Sequence, residues 1–460
     1  MKHLIYLVTV VTIMTQSSCK KFVEVDAPNT QIIRDIVFNS DKTANAAMAA
    51  VYTGILQSNP FRSGMSSIQV MGGFSSDELV WHTGGGLQAR EFFENAIVSS
   101  NTSILNIWGE CYNLIYRANA ILEGLSQSTG VTETTRNQLT GEALFIRAFI
   151  NFYLVNLFGD VPLITNTDYK ANAQVIRNSR VEVYNQIIAD LKSADGKMAS
   201  GYSSTNNERV TPSRYAARAL LARVYLFTGD WVLAEAQATL VIDETALYQL
   251  ENNLNDIFRK NSKEAIWQLK PVNSTYTNEG QTYILTGPPS SVSLRDELVN
   301  SFETGDNRKA MWTASVSAPA GTFYYPFKYK ERSSNSTGAE YSMVLRLAEQ
   351  YLIRAEARAK QGKLLGANSA EFDINIIRNR AGLSNTTVTT PGDMFLAIEM
   401  ERKFELFTEW GHRWLDLKRN DRANDILSLL KSGWSVNDQF YPIPRTELLI
   451  NGNLTQNPGY

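Results

Sequence analysis

The feature that most constrains the fold is a repeated pattern of small and apolar residues at helical spacing. Its clearest copy, in residues 212–243, is an apolar pair, an aromatic residue, a turn and a small residue: Leu221-Ala222, Tyr225, Gly229-Asp230 and Ala234. Leucine and tyrosine at these positions fill the groove between two helices, alanine allows close approach, and glycine with aspartate forms the turn. The order and spacing therefore predict a helix–turn–helix unit.

Comparable blocks recur along the chain, so the pattern describes a scaffold and not an isolated motif. We predict tetratricopeptide-like helical repeat blocks at about residues 41–57, 104–158, 212–243 and 343–431. Units of this kind bury their apolar faces against each other and form one continuous core. The expected fold class is mostly α, a helical repeat scaffold interrupted at about 271–340 by a loop-rich insertion with short strands.

The segment from Glu142 to Phe158 is apolar nearly all round its helical circumference. A helix that is apolar on every side is buried in a core. Arg147 and Asn151 interrupt the segment one turn apart on one face. We expect these two side chains to satisfy each other or a neighbouring backbone group, because buried polar groups need partners.

The N-terminus has the features of a secretory signal peptide. Lys2 precedes an apolar run over residues 4–14, and the small residues Ser17-Ser18 come just before Cys19. The run is too short to span a bilayer, which takes about 20 apolar residues. We predict a lipoprotein signal at residues 1–18, lipid attachment at Cys19, and a single domain over 19–460 that begins with a tether at 19–40. An ordinary signal peptide followed by an incidental cysteine is the alternative.

Charge and composition exclude several classes of function. The net charge of -2 argues against a nucleic-acid partner and against a polybasic membrane patch, so the lipid would be the sole membrane contact. The histidines are His3, His82 and His412, and His3 leaves with the signal, which excludes a three-histidine zinc site. With Cys19 acylated, Cys111 has no partner for a disulfide. HExxH, GxSxG, Walker A and GxGxxG motifs are absent.

Five segments of the sequence carry a family resemblance. Besides the lipoprotein start, they are residues 141–163, 346–383, 401–419 and 441–460, with the motifs Glu401-Arg402-Lys403-Phe404-Glu405-Leu406, Gly411-His412-Arg413-Trp414 and the closing Gln456-Asn457-Pro458-Gly459-Tyr460. Together these segments resemble the RagB/SusD family of outer-membrane nutrient-binding lipoproteins from Bacteroidetes. The resemblance covers essentially the whole mature chain.

The resemblance implies a fold and a role. The implied fold is a right-handed superhelix of tetratricopeptide-like helix pairs packed against an irregular, loop-rich half. The implied role is that of a lid on a TonB-dependent outer-membrane transporter of the SusC type, anchored by lipid at the cell surface. Such proteins capture glycans, or peptides in some relatives, and release them into the barrel without catalysis or a resident cofactor.

Ligand contacts are expected in two loop regions, at about residues 58–103 and 271–340. Sugars stack their C–H faces on tryptophan or tyrosine, and their hydroxyl groups bind amide, carboxylate and guanidinium groups. The candidate ligand-binding residues that offer these groups are Asp77, Trp81, His82, Arg90, Asn101, Tyr276, Tyr283 and Trp312. Glu401 and Glu405, one turn apart, are interpreted as members of an ion-pair network and not as an acid/base pair.

Three alternative hypotheses for the function are compatible with the sequence. Peptide capture would use a longer groove with fewer stacked aromatic residues and main-chain hydrogen bonds. A two-carboxylate glycosidase is compatible with the composition, but no motif places such a pair, so we expect no catalytic residue. A protein-interaction scaffold is compatible with glycan capture, since the helical face would hold the transporter. The acidic loops leave a structural calcium ion undecided.

Overall fold

The computed structural model describes residues 34–202, 205–272 and 274–460. Cys19, the signal peptide and most of the expected tether lie outside these residues. The end of the tether region is not extended throughout, because residues 34–37 form a short helix. Predictions about the N-terminal lipid therefore stay predictions.

Helices make up most of the described chain. They are α1 (Arg34–Val37), α2 (Asp41–Gln57), α3 (Ile68–Ser75), α4 (Leu87–Glu94), α5 (Thr102–Gln127), α6 (Glu133–Phe158), α7 (Tyr169–Asn172), α8 (Arg180–Lys197), α9 (Arg214–Thr228), α10 (Trp231–Ile242), α11 (Asn278–Tyr283), α12 (Asp296–Asn300), α13 (Asn307–Trp312), α14 (Leu347–Lys360), α15 (Ala370–Arg380), α16 (Pro391–Leu406), α17 (His412–Arg419), α18 (Ala423–Leu430) and α19 (Arg445–Ile450).

The strands are short and pair two by two. They are β1 (Leu79–Trp81), β2 (Ala265–Leu269), β3 (Val292–Leu294), β4 (Thr313–Ala318), β5 (Gly321–Pro326) and β6 (Ser342–Arg346). The antiparallel pairs are β1 with β3, β2 with β6, and β4 with β5. The expected insertion with short strands and the mostly α class are both confirmed.

The helical side is a succession of neighbouring pairs. Helix α5 packs on α6, α6 on α8, α8 on α9, α9 on α10, α10 on α14, and α14 on α15 and α16. The predicted helix–turn–helix at 212–243 is confirmed as α9 and α10. Gly229 forms its turn at φ +81°, a conformation that favours glycine, and Ala234 is fully buried where the two helices meet.

Helix α6 is buried over most of its length, as predicted. It is long and apolar enough to cross a membrane by length and composition, but 94% of its most apolar window is buried inside the protein. Asn151 donates to the carbonyl oxygen of Arg147 at 3.0 Å, as expected. The Arg147 guanidinium itself binds both carboxylate oxygens of Asp190 in α8 at 2.7 Å.

The structure differs from the predicted helical blocks in two places. Helix α8 was not expected, although Ser179 and Glu182 form a capping box at its start. The block at 343–431 opens with strand β6, because its first residues pair with β2 along a fully buried edge. Fully buried strands lack the alternating pattern of a half-exposed strand, so periodicity could not separate them from a helix.

The interpretation of Glu401 and Glu405 as ion-pair residues is confirmed. Arg308 binds Glu401 at 2.5 Å and Glu405 at 3.2 Å, and Arg346 binds Glu405 at 2.6 Å. Arg380 also pairs with Glu405. These side chains are almost completely buried and hold β6, α13, α15 and α16 together.

Candidate functional site

The pairing of β1 with β3 builds an exposed face from two distant parts of the chain. Trp81 lies opposite Val292 in this pair, and beyond the strand the His82 amide donates to the Ser291 carbonyl at 3.0 Å. The Gly84 amide then donates to the Ser290 carbonyl at 2.7 Å. Backbone hydrogen bonds therefore hold the segment after β1 against the segment before β3.

The Trp81 indole is partly buried and fixed in position. Its Nε1 donates to the Gly86 carbonyl at 3.0 Å, and the Arg90 guanidinium carbon lies 5.7 Å from the ring centroid. Arg90 is exposed and also pairs with Glu94 at 2.7 Å. A cation over an indole face is an attractive arrangement, and it leaves the arginine donors close to whatever contacts the tryptophan.

The His82 imidazole lies between β3 and the β4–β5 hairpin. Its Nε2 is 2.9 Å from the Ser293 hydroxyl, and its ring centroid lies 6.0 Å from that of Phe323 in an edge-on arrangement. Partial burial lowers the pKa of His82, so the neutral ring is favoured at neutral pH. A neutral imidazole can offer a hydrogen bond to a hydroxyl group without adding a charge.

A polar cleft of about 350 Å³ adjoins this face. The segment Ser290–Val292 lines the cleft and also pairs with the residues around Trp81. Gln281 and Thr286 line it as well, together with Arg332, whose Nε donates to the Ile284 carbonyl at 2.9 Å. We call Trp81 and Arg90 together with this cleft the Trp81 face. The His82 side chain is not part of it, because successive side chains of an extended segment point to opposite sides and His82 contacts Ser293. Hydroxyl, amide and guanidinium groups there match the hydrogen-bonding needs of a sugar.

The other predicted residues lie elsewhere. Asp77 is buried, and its oxygens accept from Arg413 at 2.7 Å and from Lys403 at 2.9 Å. The nearby cations hold the pKa of Asp77 below its usual range even though burial opposes them. Asn101 is the N-cap of α5 and is 3% exposed, with its amide bound to the Gln88 carbonyl. Neither side chain is available to a ligand in this structure.

The structure places Trp312 and Tyr283 in the core instead of a binding surface. Trp312 is 0% exposed, its Nε1 donates to the Leu254 carbonyl at 3.0 Å, and the Lys328 ammonium lies 4.8 Å from its ring centroid. Tyr283 is 4% exposed and lines a closed space of about 10 Å³. Aromatic residues in loop-rich sequence serve either packing or binding, and both of these side chains are packed in the interior of this structure.

Tyr276 lines a separate cavity and does not join the Trp81 face. This cavity, of about 140 Å³, has Tyr276, Glu279 and Ser342 in its walls and shares no lining residue with the cleft. Of the predicted residues, the structure thus brings together Trp81 and Arg90, whereas His82 points to the opposite side of the extended segment.

Sequence reasoning missed several residues that line the cleft or surround His82. Ser290, Ser293, Phe323 and Arg332 come from the insertion, in which serine, glycine and proline are frequent. That composition indicates loops, but the strand register that sets Ser293 beside His82 has no local signal. Within residues 34–202, 205–272 and 274–460, no group of three or more histidine, cysteine, aspartate or glutamate side chains could hold a metal ion.

Replacing Asp77 with asparagine should lower the stability of the folded protein, because Asp77 is a buried member of an ion pair. The change leaves Glu399, at 3.1 Å, as the remaining charged partner of the buried Arg413 guanidinium, so we expect a loss of about 2–3 kcal/mol in the free energy of unfolding. Urea denaturation followed by circular dichroism measures it. An unchanged midpoint together with lost ligand binding would show that Asp77 acts at the ligand instead.

The architecture defines a helical repeat protein whose loop-rich half presents an aromatic and polar face. Residues 21–226 match the family described as "Starch-binding associating with outer membrane", and residues 272–460 match the "SusD family". The chain belongs to the SusD/RagB family. This confirms the resemblance noted in the sequence.

Individual relatives agree with that assignment. "SusD-like protein P2" of Formosa agariphila is 27% identical over 78% of this chain and 81% of its own length. "Starch-binding protein SusD" of Bacteroides thetaiotaomicron is 24% identical over 73% of this chain and 75% of its own length. Among solved structures, a "Laminarin binding SusD-like protein" is 26% identical, covers 92% of this chain and all of its own, and has a TM-score of 0.77.

Proposed function

We propose that the protein is a glycan-binding lipoprotein of the cell surface that captures oligosaccharide and delivers it to a SusC-like TonB-dependent transporter in the outer membrane. The observation that carries the proposal is the Trp81 face, where an indole with a guanidinium over its ring lies on a strand pair that borders a polar cleft. The laminarin- and starch-binding names of two relatives support the ligand class.

The proposed mechanism is binding and release without covalent chemistry. A sugar ring would lie at Trp81, and its hydroxyl groups would contact Arg90 and the hydroxyl and amide groups of the cleft. The buried carboxylates Glu401 and Glu405 are already engaged by arginines, which supports a binding protein over a two-carboxylate hydrolase. The lipid on Cys19 would be the membrane anchor.

The helical side is proposed as the surface toward the transporter. A groove of about 540 Å³ there is lined by Trp231, Phe395 and Leu396, with Lys360 4.2 Å from the Phe395 ring centroid. Val232 on α10 is 66% exposed. Exposed apolar side chains beside a groove are typical of interaction surfaces. This arrangement would leave the Trp81 face free to hold ligand.

Affinity electrophoresis of the mature protein through gels containing laminarin, starch or other polysaccharides tests the proposal. We expect retardation by at least one glycan, and a loss of at least tenfold in affinity for Trp81→Ala, because the stacking surface disappears. Tyr169→Ala is the matched control, since Tyr169 is an exposed aromatic residue outside this face (74% exposed).

Two outcomes would contradict parts of the proposal. If Trp81→Ala is retarded as strongly as the wild type, the protein binds glycan but the binding site lies away from Trp81. No retardation by any glycan, followed by binding of an oligopeptide pool, would establish peptide capture in its place.

A further inference from the structure

The cavity of about 140 Å³ beside Tyr276 contains a carboxylate that the Trp81 face does not use. It lies between the end of α2, the loop that follows it, the chain around α11 and the start of β6. Glu279 and Ser342 are in its wall, and the Ser342 hydroxyl hydrogen-bonds a Glu279 carboxylate oxygen. We call this space the Glu279 cavity.

Glu279 differs from the paired carboxylates of the core. It is 3% exposed, and among the described residues no lysine, arginine or histidine forms an ion pair with it. Asp77 and Glu405, by contrast, each have two or more cationic partners. Burial raises the pKa of Glu279, with hydrogen bonds from Ser342, Ser63 and Gln69 opposing it. A buried carboxylate without a cation is costly, so a ligand that supplies positive charge gains by entering.

A second polar group lies beside the carboxylate in the same wall. The Ser63 side chain is 1% exposed and lines the cavity, and its hydroxyl lies close enough to the Glu279 carboxylate to donate to it and lower its pKa. Ser63 also holds a left-handed backbone conformation, with φ at +58°, which is uncommon for serine. The lone pairs of the Ser63 hydroxyl oxygen accept no hydrogen bond within the described residues, so they remain available to a donor in the cavity.

The size and the apolar part of the lining favour an organic group over a bare ion. A single water needs roughly 10–15 Å³ of such space, so the cavity is much larger than one ion would fill. Leu56, Phe61 and Leu269 supply apolar walls, and the partly buried ring of Tyr276 can lie against a cation. Arg62 lines the rim, but its side chain is exposed and forms no ion pair with Glu279.

We propose that the Glu279 cavity binds the primary ammonium group of a small organic amine such as an amino sugar. The Glu279 carboxylate and the Ser63 hydroxyl would accept hydrogen bonds from the ammonium, and Tyr276 would cover it. This site is separate from the Trp81 face, and the proposal does not depend on which glycan that face binds.

Isothermal titration of the mature protein at neutral pH with D-glucosamine, D-glucose and N-acetyl-D-glucosamine tests the site. We expect D-glucosamine to bind at least tenfold more tightly than the two uncharged sugars. Glu279→Gln should weaken D-glucosamine binding at least tenfold, because the carboxylate charge is removed at constant shape. Tyr276→Ala should weaken it severalfold.

The matched control is Glu340→Gln. Glu340 is likewise buried, with a pKa raised to about 7 mainly by burial, but it does not line the Glu279 cavity. We expect this variant to bind D-glucosamine as the wild type does. Thermal unfolding of each variant identifies any that fails to fold.

Three results would overturn the proposal. Equal affinity for D-glucose would show that the cavity recognises hydroxyl groups. Absence of binding by all three sugars and by methylamine would show that the cavity takes no amine. Stabilisation by potassium chloride but not by tetramethylammonium chloride, without D-glucosamine binding, would identify a metal-ion site instead.

Discussion

Arg346→Met is expected to lower the free energy of unfolding by about 3–5 kcal/mol. The Arg346 side chain is 2% exposed, and its guanidinium binds Glu409 at 2.8 Å and Glu405 at 2.6 Å. A further nitrogen donates to the Glu405 backbone carbonyl at 2.8 Å. Methionine fills much of the space but leaves two buried carboxylates with fewer cations, and uncompensated buried charge is the costly outcome. Urea denaturation at neutral pH gives the difference.

Arg259→Met is the matched control for that experiment. Arg259 also pairs with a carboxylate, Asp256, at 3.2 Å, but the two side chains are 59% and 38% exposed. Exposed pairs contribute less than about 1 kcal/mol, because water and salt screen them. If Arg346→Met were equally mild, the remaining cations Lys328, Arg308 and Arg380 would be sufficient to compensate the buried carboxylates.

Glu78→Gln is expected to stabilise the protein above neutral pH. Glu78 is 1% exposed, and burial, followed by repulsion from Asp77, raises its pKa from 4.5 to about 8. The unfolded chain loses this proton from about pH 4.5 upward, whereas the folded protein keeps it to about pH 8. The contribution of Glu78 to stability is therefore full below pH 4.5 and is lost as pH rises through about 8.

Glutamine removes that ionisation and can keep the hydrogen bond that Glu78 accepts from the Thr408 amide at 3.2 Å. Relative to the wild type, we expect Glu78→Gln to gain stability between pH 5 and 8.5, by up to about 4 kcal/mol. Urea denaturation across this range measures the gain. Glu94→Gln, at an exposed position, should follow the wild-type profile. Parallel profiles for Glu78→Gln and the wild type would show that Glu78 is ionised in the folded protein.

The helical half could be predicted because its determinants are local. The turn at Gly229 and the all-apolar circumference of α6 are properties of short stretches of sequence, and the structure confirms both. Arg147 shows where local reasoning ends. Its backbone carbonyl binds Asn151 as expected, but its charge is neutralised by Asp190 from a helix that the periodicity did not indicate.

The candidate site was harder to predict, because the same residue types serve packing and binding. Trp81 and Trp312 both stand among loop residues, yet one is fixed at an accessible face and the other is sealed over Lys328. Which role each adopts depends on strand register and on ion pairs formed across the chain. Asp77 illustrates the effect of such ion pairs, since its carboxylate is buried against the Arg413 guanidinium.

The segment from Phe74 to Asp77, just before β1, is held by partners near the other end of the chain. The Ser75 and Tyr441 hydroxyl groups form a hydrogen bond although the two residues are 366 positions apart in the sequence. Arg413 likewise binds Asp77 over a separation of 336 positions. Contacts between residues so far apart close slowly and form after local helix pairs. Helices α5, α6 and α8 can therefore associate while the strand that carries Trp81 is still unanchored. The strand that carries Trp81 is then expected to be ordered late in folding, and a chain interrupted before its final segments would lack the partners that anchor this strand.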